Sequence, residues 1–213
     1  MIDGIRMSRS ISAMGAALAI ALMSGCASTT LVNMWRDPNL PRQPLGNTLV
    51  VALQRDNASR RSWEDQFVAS LKAHGINATP SYPLFPDAAP DTSSLSAAFR
   101  GGSFDAVLVT HPLGSSTESR YVPGYLTPEP MTVVNPWTGH YYRYYADVYT
   151  PGHVEVSRVV RYETEVWMVR GRSRLIWTGT TETIDPSSQT QMKKEISSVI
   201  VPELVKSGVL VAH

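Results

Sequence analysis

Short runs of consecutive apolar residues mark the first half of the chain after residue 46. Residues 48–53 and 104–110 are apolar at nearly every position, a pattern typical of strands that are buried on both faces. Residues 76–82, which lie between these runs in the sequence, are predicted as another strand. The three segments predict the central strands of one sheet.

The stretches between these strands have the spacing of amphipathic helices. Residues 57–74 place apolar side chains three or four positions apart, and Asn57 or Ser59 is predicted to cap this helix. A shorter helix is predicted over residues 92–99. The resulting strand–helix–strand–helix–strand order predicts right-handed crossovers and a largely parallel sheet.

The character of the chain changes at residue 112. Residues 112–140 contain five prolines, together with glycines, around Tyr121, Tyr125 and Trp137. This composition predicts a long structured loop or hairpin excursion, and segments of this length are often functional.

Residues 154–169 then alternate between apolar and polar side chains, as a strand with one buried face does. A turn at residues 171–172 is predicted to return the chain as a strand over residues 175–184. A tight turn predicts two contacts across the hairpin: Val166 with Trp177, and Met168 with Leu175.

A last helix is predicted to open at residues 185–188, which read Asp-Pro-Ser-Ser. Together the patterns predict an α/β (α+β) fold with a single mixed sheet. Its first half is βαβαβ, a long aromatic loop follows, and an antiparallel hairpin leads to a C-terminal helix. Residues 47–213 are predicted to form one globular domain.

The N-terminus carries a different apolar run. Arg6 and Arg9 precede about 13 mostly apolar residues at positions 11–23, fewer than the roughly 20 that a spanning helix needs. A short basic segment followed by such a run is typical of a signal peptide. Residues 1–25 are therefore predicted to be a lipoprotein signal peptide.

Residues 22–26, Leu-Met-Ser-Gly-Cys, resemble the lipobox of bacterial lipoproteins, although Met23 stands where Leu is usual. The alternative is a buried free thiol behind an ordinary cleavage site. Cys26 is the only cysteine in the 213 residues, and it ends the apolar run. The resemblance implies that Cys26 is acylated and anchors the chain in the lipid bilayer. Ala27 in place of Asp implies the outer membrane, with the domain facing the periplasm.

Residues 26–46 are interpreted as the lipidated Cys26 and a Pro-rich tether, because Pro38, Pro41 and Pro44 favour extended chain. After residue 25 the chain carries 17 basic and 17 acidic residues. This balance gives no long-range attraction to a charged partner, so any specificity must come from shape and short-range contacts.

Composition excludes several classes of function. The net charge of +1 lacks the basic excess that nucleic-acid binding requires. A single cysteine excludes a disulfide framework and thiolate metal clusters. The five histidines include no pair within four positions, so no metal site is predicted. Gly101-Gly102 precedes a predicted strand, which is the wrong order for a phosphate-binding turn, so no cofactor is predicted.

Candidate catalytic residues are few. His111 is predicted to follow the end of a strand, where ligand sites of α/β folds lie, and Ser115 and Ser116 come soon after it. No Gly-x-Ser-x-Gly nucleophile motif accompanies them. Glu163 and Glu165 share one strand face and could act as a catalytic carboxylate pair. Solvent-facing strand residues alternate in the same way, so an ordinary exposed face is the favoured interpretation. We expect a protein that is not an enzyme, with an envelope hydrolase using the His111–Ser116 rim as the alternative.

The most unusual segment is the aromatic stretch at residues 140–149. It holds five of the nine tyrosines in the chain. Aromatic residues favour strands, so packing in a sheet is one interpretation. Tyrosine and arginine are also enriched in binding surfaces for proteins and glycans. The candidate binding surface consists of Tyr141, Tyr142, Arg143, Tyr144, Tyr145 and Tyr149.

A family resemblance runs through the chain. It rests on Trp35-x-Asp37, Arg60-Arg61-x-x-Glu64-Asp65, Gly75, Pro80-Ser81-Tyr82, Leu175-Ile176-Trp177-x-Gly179 and Thr183-x-Asp185-Pro186. The ensemble resembles small lipoproteins of Gram-negative bacteria built on a domain of unknown function. It is distantly similar to the N-terminal domain of the Tol-system propeller protein. This resemblance implies a periplasm-facing α/β domain without established catalysis, and it supplies no site residues.

These observations predict an outer-membrane-anchored, non-catalytic lipoprotein that binds or supports another component of the cell envelope. The predicted partners are the lipid bilayer, through acylated Cys26, and an envelope protein, with no role for nucleic acid. A glycan-binding module that uses the tyrosines of residues 141–149 is a further alternative.

Overall fold

The computed structural model describes residues 29–40 and 45–211. In this part of the chain there are eight strands and three helices. The strands are β1 (Thr29–Arg36), β2 (Asn47–Ala52), β3 (Asn77–Pro80), β4 (Ala106–Val122), β5 (Tyr125–Val134), β6 (Tyr141–Thr150), β7 (His153–Met168) and β8 (Arg174–Ile184). The helices are α1 (Asn57–Ala73), α2 (Thr92–Phe99) and α3 (Gln189–Lys206).

Six of the strands form one mixed sheet in the order β1-β8-β7-β4-β2-β3. β2 pairs in parallel with β3 and with β4, while β4–β7, β7–β8 and β1–β8 are antiparallel. The predicted α+β class, with its βαβαβ first half and C-terminal helix, is confirmed. The sheet is mixed because the parallel half is built from crossovers and the antiparallel half from hairpins.

One face of the sheet is covered by α1 and α3. Trp63 of α1 stacks on Tyr162 of β7 with ring centroids 4.4 Å apart, and both side chains are buried. The predicted apolar face of α1 is confirmed, since Trp63, Phe67, Val68 and Leu71 are all buried. The opposite face is only partly covered, by α2 and a small apolar cluster around Val51 and Val107.

α1 begins one residue earlier than a cap at Asn57 predicts, and α2 begins at Thr92, as predicted. The caps are Asp56 for α1 and Asp91 for α2, whose carboxylates accept the backbone N–H of Ser59 and Ser94. The backbone hydrogen bond from Ser94 lowers the pKa of Asp91 to about 2. A side chain outside the helix satisfies these N–H groups better than a residue in its first turn can.

A buried carboxylate lies at the end of β3. Glu64 of α1 is fully buried and accepts the backbone N–H groups of Ser81 at 2.7 Å and Tyr82 at 2.9 Å. It also accepts the Ser81 hydroxyl at 2.7 Å. The strand predicted over residues 76–82 is shorter in the structure, where it spans Asn77–Pro80.

The predicted β7–β8 hairpin forms, with one irregularity. Val166 lies opposite Trp177, as predicted, and the Trp177 side chain is fully buried. The second predicted contact is wrong, because the register shifts after Val166 and places Leu175 opposite Trp167 instead of Met168. A bulge of this kind adds one residue to one strand of the pair.

Two other sequence interpretations are corrected. Residues 29–36, assigned to the tether, form edge strand β1 and pair with β8. Of the loop and the hairpin excursion predicted for the aromatic segment, the hairpin forms: β4 extends to Val122, and β5 and β6 form a second, two-stranded sheet. The prediction of a single sheet is therefore wrong in detail, because β5 and β6 pair only with each other. The prolines that suggested a loop lie within β4 and β5 or in the short segments between the strands.

Candidate binding surface

Two strand pairs join end to end to form a long ribbon. β4 and β7 pair outward as far as Val122 opposite His153, and β5 and β6 resume with Tyr125 opposite Thr150. The register is unchanged across the junction, since neither strand gains a residue there. Side chains therefore keep their alternation between the two faces from Gly114 outward, beyond the register shift between Pro112 and Gly114.

Most of this ribbon lies outside the six-stranded sheet. β4 leaves its partner β2 after Thr110, and β7 meets β8 only from Val159 onward. We call residues 117–158, which lie beyond both of these pairings, the arm, and the rest of the described chain the body. At roughly 3.3 Å per residue the arm reaches up to about 55 Å from its root.

The junction in the arm depends on two glycines. A Cβ atom on Gly124 would lie 2.5 Å from the Tyr149 hydroxyl and 2.7 Å from the Thr150 carbonyl oxygen. A Cβ atom on Gly152 would lie 2.4 Å from the Tyr121 hydroxyl. The two tyrosines cover the glycines from opposite faces of the ribbon, which agrees with the unbroken register.

One face of the arm is largely apolar, and we call it the apolar face. Its outer half carries Tyr125, Met131, Val133, Tyr142, Tyr144 and Val148, and its inner half carries Tyr121, Val154 and Val156. The rings of Tyr142 and Tyr144 lie 6.4 Å apart on this face. Glu129 and Arg158 are its charged residues.

The other face, the charged face, combines tyrosines with ionic side chains. Its charged residues are Glu118, Arg120, Arg143, Asp147 and Glu155. Arg120 donates to Glu155 at 2.8 Å, and this hydrogen bond lowers the pKa of the Glu155 carboxyl. At the root, Arg161 bonds to Glu182, to Ser116 and to Glu118.

The predicted binding residues are exposed, and the structure divides them between the two faces. Tyr141 and Tyr145 on the charged face are each 75% exposed, Tyr149 on that face is 62% exposed, and Arg143 lies between Tyr141 and Tyr145. Tyr142 and Tyr144 lie on the apolar face and are about half exposed. Sheet packing in the body therefore does not account for the tyrosine segment.

The tip of the arm is a tight turn. The Asn135 carboxamide oxygen accepts the backbone N–H of Trp137 at 2.9 Å, and the Asn135 N–H donates to the His140 carbonyl at 2.8 Å. Trp137 is 93% exposed at this turn. Sequence reasoning included Trp137 in the excursion but did not place it beside the tyrosines.

The residues of the hydrolase alternative do not come together. His111 lies within the long strand β4, and its Nε2 atom is 3.4 Å from Glu163 Oε2. The Ser116 hydroxyl instead accepts a hydrogen bond from Arg161 at 2.9 Å. Glu165 accepts the Trp167 indole N–H, so the two glutamates have different partners and form no carboxylate pair.

An apolar pocket of about 480 Å³ lies between α2 and the less covered face of the sheet. Val51, Leu95, Phe99 and Trp167 contribute to its wall, with Glu165 as a carboxylate at its side. The pocket can accept an apolar group, and the hydrogen bond from Trp167 already occupies one oxygen of Glu165.

Within residues 29–40 and 45–211, no three histidine, cysteine, aspartate or glutamate side chains group as metal ligands. None of the helices in that part of the chain is long and apolar enough to cross a membrane. Cys26 lies outside the described residues, so its predicted lipidation stays a prediction.

Comparison with protein-family models gives no match, and neither does comparison with curated protein sequences. Among solved structures, the chain is similar to PelC from Paraburkholderia phytofirmans, described as a dodecamer in two crystal forms. Both PelC structures are 15% identical to this chain in sequence, with a TM-score of 0.45, and each comparison covers 99% of the PelC chain. The comparison covers 85% of this chain for a single-substitution variant of PelC and 87% for the other crystal form. A PDZ domain protein from Parabacteroides distasonis is 8% identical, with a TM-score of 0.35, over 81% of this chain and 34% of that protein. At these TM-scores the similarities carry no conclusion about function.

Proposed function

We propose that this chain is an outer-membrane lipoprotein without catalytic activity, whose arm binds another protein of the cell envelope. The observation that carries the proposal is the arm itself. It projects from the body, pairs only with itself and exposes a dense set of aromatic side chains. Monomeric proteins seldom expose contiguous aromatic surface without a use for it.

The charged face of the arm is the better candidate for a protein partner. Tyr141, Arg143 and Tyr145 follow one another along one edge of this face, with Asp147 beyond them. Tyrosine supplies a large contact area at low conformational cost, and arginine binds carboxylates or stacks on rings. Such a surface recognises a partner through short-range contacts, which suits a chain with almost no net charge.

The strand geometry of the arm adds a second reason. A two-stranded ribbon in water is at best marginally stable, because it has no core of its own. Its outer edges also leave backbone N–H and C=O groups unpaired. Contact with another surface would stabilise the arm by covering its exposed side chains and by shielding the unpaired backbone groups of its edges.

The glycan alternative uses the tyrosines of residues 141–149. Within this segment the rings of Tyr142 and Tyr144 are 6.4 Å apart and tilted by 36°. Sugars stack best on aromatic rings that share a plane, and these two rings do not. We therefore favour a protein partner. The hydrolase alternative is not proposed, since Ser116 and His111 bond to different residues.

The anchor is tested by replacing Cys26 with Ala. We expect the variant to escape acylation and to leave the membrane fraction or accumulate as unprocessed precursor. An unchanged mature mass and membrane fraction would overturn the lipoprotein assignment.

Partner binding is tested by the double variant Tyr141→Ser/Tyr145→Ser, which changes the two most exposed rings of the charged face. Crosslinking in intact cells followed by mass spectrometry should show loss of a crosslinked protein while the melting temperature is unchanged. Leu84→Ser, at a half-exposed apolar position on the body, is the control and should keep that protein. No change in crosslinking, or a collapsed melting temperature, would remove the binding hypothesis.

A further inference from the structure

The first described residue lies at the root of the arm. Thr29 pairs with Thr183, Thr183 pairs with Val160, and Val160 pairs with Ser115. The start of β1 is therefore level with the point where the ribbon leaves the sheet. Since β1 runs from there towards the opposite end of the sheet, the preceding chain meets the body on the arm side.

The sequence leaves little distance between this point and the predicted anchor. Cys26 precedes Thr29 by three residues, which span at most about 11 Å when fully extended. This step rests on the proposed acylation of Cys26. An acylated Cys26 would hold the arm-side end of the body close to the bilayer, with the turn at residues 171–172 at the far end of the sheet.

An arm of up to about 55 Å that begins close to a bilayer must either cross it or lie along it. Crossing is unfavourable for a single two-stranded ribbon, because its edge N–H and C=O groups would have no partners in hydrocarbon. In the interfacial region water satisfies these groups. The ribbon therefore fits the membrane surface rather than the membrane core.

The two faces of the arm differ in the way that a surface position requires. The apolar face has two charged residues, Glu129 and Arg158, whereas the charged face has five. Tyrosine and tryptophan prefer the headgroup region, where the ring is buried and the polar atom stays hydrated. Tyr121, Tyr142 and Tyr144 occupy the apolar face, and Trp137 lies at the turn.

We propose that the arm lies along the membrane surface with its apolar face in the lipid interface and its charged face towards the periplasm. This arrangement leaves Tyr141, Arg143 and Tyr145 free for the protein partner proposed above. Binding is driven by apolar area and not by charge, because the arm has no basic cluster.

The experiment compares two neighbouring residues on opposite faces. Met131→Cys places a thiol on the apolar face, and Thr132→Cys places one on the charged face; both positions are exposed. In the acylated full-length protein the sulfur of Cys26 is blocked, so each introduced cysteine is the only thiol to react with an environment-sensitive fluorophore. Arg172→Cys, at the exposed far turn, is the control for the body.

The labelled proteins are reconstituted in vesicles of phosphatidylethanolamine and phosphatidylglycerol. At position 131 we expect blue-shifted emission that rises about twofold, and strong quenching by lipid with a nitroxide near the headgroup. Positions 132 and 172 should show little change. Equal responses at positions 131 and 132, or none at either, would overturn the proposal.

Other outcomes also decide the matter. Stronger quenching at position 131 by a nitroxide at the end of the acyl chain would mean that the arm enters the membrane core, which contradicts a surface position. A concentration-dependent shift without vesicles would mean that a second copy covers the apolar face, which also overturns the proposal.

A parallel set of variants separates this inference from the proposed anchor. The chain from residue 26, with Cys26→Ser and an N-terminal hexahistidine tag, is held on vesicles by nickel-chelating lipid. A contrast between positions 131 and 132 in this form supports the arm's position even if mass spectrometry finds no acyl group on the native protein. Acylated native protein without the contrast would leave the anchor intact and overturn the arm's position.

Discussion

Adding one methyl group at Gly179 should destabilise the body through its clash with a single ring. Gly179 of β8 has an ordinary strand backbone, so its conformation does not require glycine. A Cβ atom there would lie 2.3 Å from Cη2 and 2.8 Å from Cζ2 of the Trp177 indole. Trp177 is fully buried opposite Val166, so the ring has no free space into which to move.

The magnitude follows from two opposing terms. Overpacking of a close-packed core costs about 1–3 kcal/mol. Replacing a strand glycine by alanine recovers roughly 0.5–1 kcal/mol of backbone entropy. We therefore expect Gly179→Ala to lower the free energy of unfolding by about 1 kcal/mol, within a range of roughly 0–2.5 kcal/mol.

A double-mutant cycle isolates the contact. Trp177→Ala removes a buried aromatic ring and should cost about 3–5 kcal/mol. Removing the ring removes the three atoms nearest to the alanine Cβ at position 179, so adding that alanine should then be neutral or mildly stabilising. The coupling energy between the two substitutions should be about 1–3 kcal/mol.

The assay is urea denaturation followed by far-UV circular dichroism, since tryptophan fluorescence would change with the substitution itself. Gly101→Ala is the control, because a Cβ atom there would meet its nearest atoms at 3.9 Å. The reasoning is refuted if Gly179→Ala costs the same with and without Trp177, or if it costs no more than Gly101→Ala.

Three further outcomes are expected. Burial would raise the pKa of Asp105, but hydrogen bonds from the Asn47 backbone and Arg170 outweigh it and keep the pKa low. Because the pKa of Asp105 is lowered in the folded state, its carboxylate stabilises the fold at pH values above the unfolded pKa of 3.8, and this stabilisation is lost as the pH falls through the folded-state pKa. Asp105→Asn should therefore be destabilising at neutral pH and less so near pH 3, as measured by denaturation at each pH. Arg60 Nε lies 3.7 Å from Glu64 Oε1, and both side chains are buried. Glu64→Ala should therefore cost about 3–5 kcal/mol in urea denaturation, because it leaves the Arg60 charge buried without a carboxylate; a loss below about 1 kcal/mol would contradict this. Gly124→Ala should speed backbone hydrogen exchange in the arm, because the added Cβ atom would clash with the Tyr149 hydroxyl and the Thr150 carbonyl, while exchange in the body is unchanged. Exchange rates that change equally in arm and body, or in neither, would contradict a role for this close contact.

Local pattern determined the part of the fold in which neighbouring segments pack together. The apolar runs predicted β2 and the start of β4, and the helical spacing of apolar residues predicted α1, because each element is buried at a regular set of positions. The hairpin between β7 and β8 was predictable from its short turn, but Val166 lies opposite Trp177 only because the bulge after Val166 compensates for a different register beside the turn.

The candidate residues were found by composition and not by placement. A cluster of tyrosines is visible in any listing of the chain, but strand propensity alone is compatible with either burial or exposure. The structure divides these residues between two faces because the strands alternate. Once β6 is known to be a strand, alternation places Tyr141, Arg143 and Tyr145 on one face and Tyr142 and Tyr144 on the other, and the register with β5 adds the residues that share each face.

Tertiary structure alone decided the elements whose pairing partners are distant in sequence. β1 is an edge strand with mostly exposed side chains, so it has no burial pattern, and its partner β8 lies more than 140 residues away. The arm exposes both faces, which removes the periodicity that reveals a half-buried strand, and its prolines suggested a loop. The sequence therefore determined the buried body, because burial imposes a repeating pattern, while the exposed ribbon and its position beside the N-terminal strand depended on long-range backbone pairing that leaves no such pattern.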